Sequence, residues 1–145
     1  MFIIEKVNEY SMVYTMGSLG YSIIEIIWRG FTHWSMAITG GICFLCLYLL
    51  NIRFVHWKLW KKCFLGCSII TGIEFIVGYI VNRIMQLNVW DYSQRLFNVL
   101  GQICPLYTLL WFLLCIPVFS LCNYLNRYLN RKKIGYNFEN KKRTV

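Results

Sequence analysis

Residues 63–81 read CFLGCSIITGIEFIVGYIV, nineteen positions with a single charged side chain, Glu74. At about 1.5 Å of rise per residue, a helix of this length reaches across the roughly 30 Å hydrocarbon core of a bilayer. The run is too long for a core strand and shows no polar–apolar alternation. Moving outward from it with a window of about 19 residues finds three further spans: Ser11 to Trp28, Met36 to Leu50, and Val99 to Cys122. The second is short, and interfacial Trp34 and Ser35 before it with Asn51 to Phe54 after it complete the crossing.

Composition supports the same solvent. The chain has 145 residues, 58% of them hydrophobic and only 14% charged, and a soluble domain of that size lacks the polar surface to cover so much apolar material. The expected fold is all-α: a polytopic membrane protein with a bundle of four transmembrane helices over residues 1–126, followed by a basic cytoplasmic tail over 127–145. Met1 to Tyr10 has neither the basic start nor the small-residue cleavage site of a secretory signal, so the first apolar stretch is expected to stay as an anchor.

The fifteen Lys and Arg residues orient the chain. Lys6 precedes the first span; Arg53, Lys58, Lys61 and Lys62 lie between the second and third; seven more follow the fourth. With four spans these twelve share one side, against Arg29, Arg83 and Arg95 on the other. The positive-inside bias therefore places both termini in the cytoplasm. Most of the net charge of +9 belongs to this juxtamembrane clustering, with Trp57 and Trp60 among the basic residues as interfacial anchors. No nucleic-acid module is visible, and nucleic acid is not an expected partner.

Seven cysteines fall inside or at the edges of the spans, where Cys packs as a small apolar residue. Cys43 and Cys46 have CxxC spacing but no second pair and no nearby His, so packing is preferred over metal. A metal site from His33, Glu25, Glu74 and Asp91 has no ligand spacing behind it. No cofactor is expected, and with no activated nucleophile in view the chain does not read as an enzyme.

The two hairpins resemble each other. Ser22-Ile23-Ile24-Glu25 corresponds to Thr71-Gly72-Ile73-Glu74, and Gly40-Gly41-Ile42-Cys43 to Gly101-Gln102-Ile103-Cys104. Such a repeat would be parallel, about an axis along the membrane normal; duplication and chance likeness between apolar segments explain it equally well.

A carboxylate within a span costs on the order of 3 kcal/mol on insertion scales and so faces the bundle interior or trapped water. Counting back from Glu25 by threes and fours meets Ser22, Tyr21, Ser18, Tyr14 and Ser11, an interior-facing stripe; counting forward meets Arg29, a partner at i, i+4. Around Glu74 the same count meets Cys67, Thr71, Gly78 and Asn82, with no cation. Glu74 is then uncharged, or pairs across helices with Arg29, Arg83 or Arg95, or holds a cationic substrate or proton; a purely structural helix-to-helix bond is the competing account. With Asn82, Asp91 and Gln102, these residues form the candidate substrate or proton path: Glu25, Arg29, Glu74, Asn82, Asp91, Gln102. His33 and Arg95 are further candidates for an outward vestibule. Pro105 and Pro117 are expected to bend the fourth span. The outer segment Asn82 to Asn98 reads either as a short interfacial helix or as a re-entrant turn.

The strings Gly20-Tyr21 to Glu25, Arg29-Gly30, His33-Trp34-Ser35-Met36, Gly40-Gly41, Glu74-Phe75, Gly78, Asn82, Trp90-Asp91-Tyr92-Ser93, Asn98, Gly101-Gln102-Ile103-Cys104 and Trp111 resemble a family of small bacterial membrane proteins, the putative ABC-transporter type IV or CmpB-like ABC transporter permease family. The resemblance implies a transport component. The chain has no Walker A motif and too few spans for a two-fold permease, so that role implies an ATPase partner, self-association, and a cytoplasmic coupling surface over Asn51 to Lys62. The rival expectation is a non-transporting scaffold or accessory subunit that binds another membrane protein through its small-residue faces.

Overall fold

The computed structural model describes residues 2–143, and the side chains of residues 6–131. It has four helices: α1 (Phe2–Arg29), α2 (Trp34–Arg53), α3 (Leu59–Gly78) and α4 (Pro105–Arg143), with a π-helical segment, Tyr79–Ile84, extending α3. Among the described residues there is no β-strand, only an isolated bridge between Val99 and Ile103. Local signals explain the boundaries. α1 stops where Gly30 takes φ +82°, a left-handed conformation that costs glycine little. α2 starts at His33, whose extended backbone and ring Nδ1 cap the helix by accepting the Ser35 N–H at 3.3 Å.

Among the described residues, three stretches are long and apolar enough to cross a membrane: Trp34–Arg53, Leu59–Ile84 and Pro105–Arg131. α1 has the length, since its 28 residues rise about 42 Å, but its polar stripe dilutes its hydropathy. The second span is completed at both ends as its flanking residues suggested. The fourth starts later than expected. Residues 99–104 belong to the outer segment, with Leu100 and Gly101 at positive φ, and the helix opens at Pro105. A proline's missing N–H is harmless in the first turn, so Pro105 starts the span instead of bending it. Only Pro117 lies inside α4. α4 also runs on without a break to Arg143, through most of the segment read as a tail. The likeness between hairpins does not extend to the return helices: Gly40 and Gly41 lie within α2, whereas Gly101 and Gln102 precede α4.

The interior is polar in places and the exterior apolar, the reverse of a soluble protein. Thr39, Asn51, Lys62, Glu74, Asn82 and Gln102 are buried, while Leu19, Ile27, Phe64, Ile76, Leu106 and Leu109 are exposed. The thiols of all seven cysteines are free, and Cys43, Cys63 and Cys115 pack with Leu47, Ile70 and Phe119 in the core between α2, α3 and α4. α1 joins through Val13, which packs with Tyr48, Cys122 and Leu125.

At the Arg53 end of α2, Lys62 is only 5% exposed. Its Nζ donates to Asn51 Oδ1 at 2.9 Å, and Asn51 Nδ2 donates to Asn123 Oδ1 at 2.8 Å, tying α2, α3 and α4 together. Asn51→Leu would strip the ammonium of this acceptor. The expected loss of thermal stability in detergent is about 2 kcal/mol, and Lys62→Met in the same background should restore part of it, because the stranded charge is then gone.

Candidate functional site

Two acids decide the site. Glu25 lies one turn before the end of α1 and Glu74 one turn before the end of α3, and both line one cavity of about 430 Å³. α1 contributes Tyr21, Glu25, Trp28 and Arg29; α4 contributes Tyr107 and Trp111 with an apolar rim; the outer segment roofs it with Trp90 and Tyr92.

The two acids have different partners. Arg29 Nη2 donates to Glu25 Oε1 at 2.7 Å, the i, i+4 ion pair that the spacing suggested, and Thr32 Oγ1 donates to Oε2 at 2.8 Å. Arg29 Nη1 reaches the Val89 carbonyl at 3.0 Å, and the guanidinium lies over the Phe31 ring at 4.8 Å. Glu25 is therefore neutralised, and Arg29 ties α1 to the outer segment. Glu74 is only 5% exposed. Its Oε1 accepts from Tyr21 Oη at 2.8 Å and its Oε2 from Trp111 Nε1 at 2.7 Å. None of the three arginines considered as partners reaches it: Arg29 is held by Glu25 and Val89, Arg83 donates to the Leu100 carbonyl, and Arg95 lies exposed in the outer segment. Tyr21 stacks on Trp111 with ring centroids 5.6 Å apart, so the two donors support one another.

Asn82, Asp91 and Gln102 serve another construction. Asn82 Nδ2 donates to the Trp90 carbonyl at 3.0 Å and to Gln102 Oε1 at 2.8 Å, while its Oδ1 accepts the Val89 N–H at 2.7 Å. Trp90 Nε1 donates to the Gln102 carbonyl at 3.0 Å. This clasp folds residues 85–104 back over the ends of α3 and α4 as an irregular cap, neither an interfacial helix nor a simple re-entrant turn. The π-helical turn presents Asn82 to it. Gly78 is required beneath, since a Cβ there would stand 2.6 Å from Gln102 Oε1 and 2.7 Å from Trp90 Cζ2. Asp91 is exposed and accepts from the Ser93 N–H and hydroxyl, both at 2.8 Å, and these bonds hold its carboxyl below the usual carboxylate range. His33 bonds Ser35. Of the six path residues, the fold brings Glu25, Arg29 and Glu74 to the cavity; Asn82 and Gln102 hold its roof, and Asp91 braces a turn outside it. Tyr92 and Tyr107 stack at 4.4 Å; Tyr107 had no signal in the sequence beyond its aromatic character, and Tyr92 only its place in the Trp90-Asp91-Tyr92-Ser93 string.

The family described as Putative ABC-transporter type IV matches residues 10–138. The chain belongs to that family. No curated protein matches the chain, and no solved structure does. The matched range takes in the cavity and the clasp alike.

Proposed function

We propose that this chain is the membrane-spanning, permease-like subunit of an ABC-type transporter in the bacterial inner membrane, and that Glu74 with the Glu25–Arg29 pair forms its intramembrane binding site. The observation that carries this reading is Glu74 itself, a buried carboxylate that, among the described residues, meets only neutral donors on the wall of a cavity. Burying a carboxylate without a counter-ion is costly, and a structural bond between helices needs no cavity beside it. In this reading α1 is a fourth span, with Tyr14, Ser18 and Tyr21 of its polar stripe against α2, Tyr21 and Glu25 on the cavity and Ser11 exposed, and both termini are cytoplasmic, in keeping with the distribution of Lys and Arg. The chain catalyses no reaction of its own, and its energy comes from an ATPase partner. That partner docks on the turn between α2 and α3 and on the first turn of α3, where Val55, Trp57 and Trp60 are exposed and the Asn51–Lys62 bond ties the two helices together.

Extraction from native membranes followed by affinity purification tests the reading. An ATPase subunit in stoichiometric amount is expected, and Glu74→Gln should lower the assembled complex's ATP turnover in proteoliposomes at least tenfold without releasing that subunit. Recovery of an envelope enzyme in place of an ATPase would favour the scaffold alternative. An ATPase complex whose turnover ignores Glu74→Gln and Glu25→Gln would leave both acids with a packing role only.

A further inference from the structure

We infer that the cavity between α1 and α4 binds a monovalent organic cation with an apolar body. As a statement about cargo this rests on the transport reading; as a statement about binding it stands by itself. The charge balance comes first. Arg29 cancels Glu25 at 2.7 Å, so the remaining charge on the wall belongs to Glu74, whose two oxygens each accept one neutral donor. An anion would meet that carboxylate, and a neutral guest would leave it uncompensated. A hard metal ion needs several oxygen ligands, and this wall offers mostly aromatic and aliphatic side chains.

The rings select the kind of cation. Tyr21, Trp28, Trp90, Tyr92, Tyr107 and Trp111 line the space, and aromatic faces attract weakly hydrated cations such as quaternary ammonium or phosphonium. The volume of about 430 Å³ lies within the ordinary range for small-molecule sites. The rims define the route of access. Ile24 and Trp28 stand on α1, Leu110 and Leu113 on α4, and Trp28 is 69% and Leu113 50% exposed. The mouth is thus apolar and turned outward from the bundle, where an amphiphilic cation dissolved in the bilayer would meet it.

Equilibrium binding of tetraphenylphosphonium to the full chain in lipid nanodiscs, corrected with empty discs, tests this. Saturable binding of one cation per chain is expected. Tetraphenylborate, of the same shape and opposite charge, and neutral triphenylphosphine oxide should each compete at least tenfold more weakly. Glu74→Gln should weaken the cation at least tenfold, and Tyr107→Leu, which removes a ring without touching either acid, several-fold. Equal binding of the three probes, or unchanged affinity in folded Glu74→Gln, would overturn the proposal and make the cavity a plain apolar pocket. If Glu74→Gln does not fold, the probe comparison and Tyr107→Leu decide alone. Absent binding in a chain that copurifies with an ATPase would sink the cargo class and leave transport standing; specific binding without an ATPase would do the reverse.

Discussion

Replacing Asn82 by Leu is expected to cost about 3 kcal/mol of stability in detergent and to release the outer segment to protease. Asn82 makes three hydrogen bonds within the cap, at 2.7, 2.8 and 3.0 Å. Leucine keeps the γ-branched skeleton but has bulkier methyl ends, so some overpacking adds to the loss, most of which comes from the groups left behind. The Val89 N–H, the Trp90 carbonyl and Gln102 Oε1 would each lose this partner, and a buried polar group without one costs about 1–3 kcal/mol. Water reaching the outer surface recovers part of that sum. Asn82→Asp keeps the acceptor for Val89 but sets a carboxylate against the Trp90 and Gln102 oxygens, so it should not rescue the fold. Gln94→Ala, on the exposed face of the same segment, should stay within about 0.5 kcal/mol of the parent. Limited trypsin cleavage at Arg95, read beside thermal unfolding, separates the cases: fast cleavage for both Asn82 variants, parental cleavage for Gln94→Ala. Parental stability in Asn82→Leu would mean that the clasp does not hold the cap.

The contrast between this cap and the cavity shows which parts of the fold were readable in the chain. Spans were legible because a bilayer demands long apolar runs, and residues 63–81 satisfy that demand almost without exception. The Glu25–Arg29 pair was legible because i, i+4 spacing on a helix is geometry that needs no tertiary information. Glu74's partners were not, since Tyr21 and Trp111 reach it from two other helices across 53 and 37 residues of chain. Polar residues near a candidate site look alike before folding. Asn82 and Gln102 were placed on the path with Glu74, yet their hydrogen bonds run to each other and to the loop backbone. The start of α4 was misplaced for a related reason. Val99 to Cys104 is apolar enough to belong to a span, and only the left-handed conformations at Leu100 and Gly101, imposed by the cap, take it out of the helix. Hydropathy reports the solvent a segment tolerates and cannot tell a helix from a turn packed upon one.

Gly40→Ala should destabilise the protein by about 2–3 kcal/mol, and Gly72→Ala, the same chemical change in the next hairpin, should be neutral or stabilising by up to about 1 kcal/mol. Both glycines lie inside apolar helices, where alanine is the better helix former by nearly 1 kcal/mol, so propensity predicts the same sign for both. The surroundings reverse one of them. A Cβ at Gly40 would fall on Tyr21 Cβ and lie 2.7 Å from Cγ, with the Gly17 carbonyl at 3.1 Å; at Gly72 it would meet nothing within 4 Å. Neither obstacle at Gly40 is the end of a flexible chain that can swing aside. Close approach through small residues is how membrane helices gain van der Waals contact, and α1 would have to leave α2 to make room. Tyr21 would move with it, and its bond to Glu74 and stack on Trp111 would loosen together. Gly40→Ala should therefore weaken tetraphenylphosphonium binding several-fold as well as lower the melting temperature, whereas Gly72→Ala leaves affinity unchanged. Melting curves for both variants in one detergent, with binding measured on the same preparations, test the argument; equal and opposite-to-expected shifts, or a destabilised Gly40→Ala that binds the cation like the parent, would mean that the α1–α2 contact does not set the position of Tyr21.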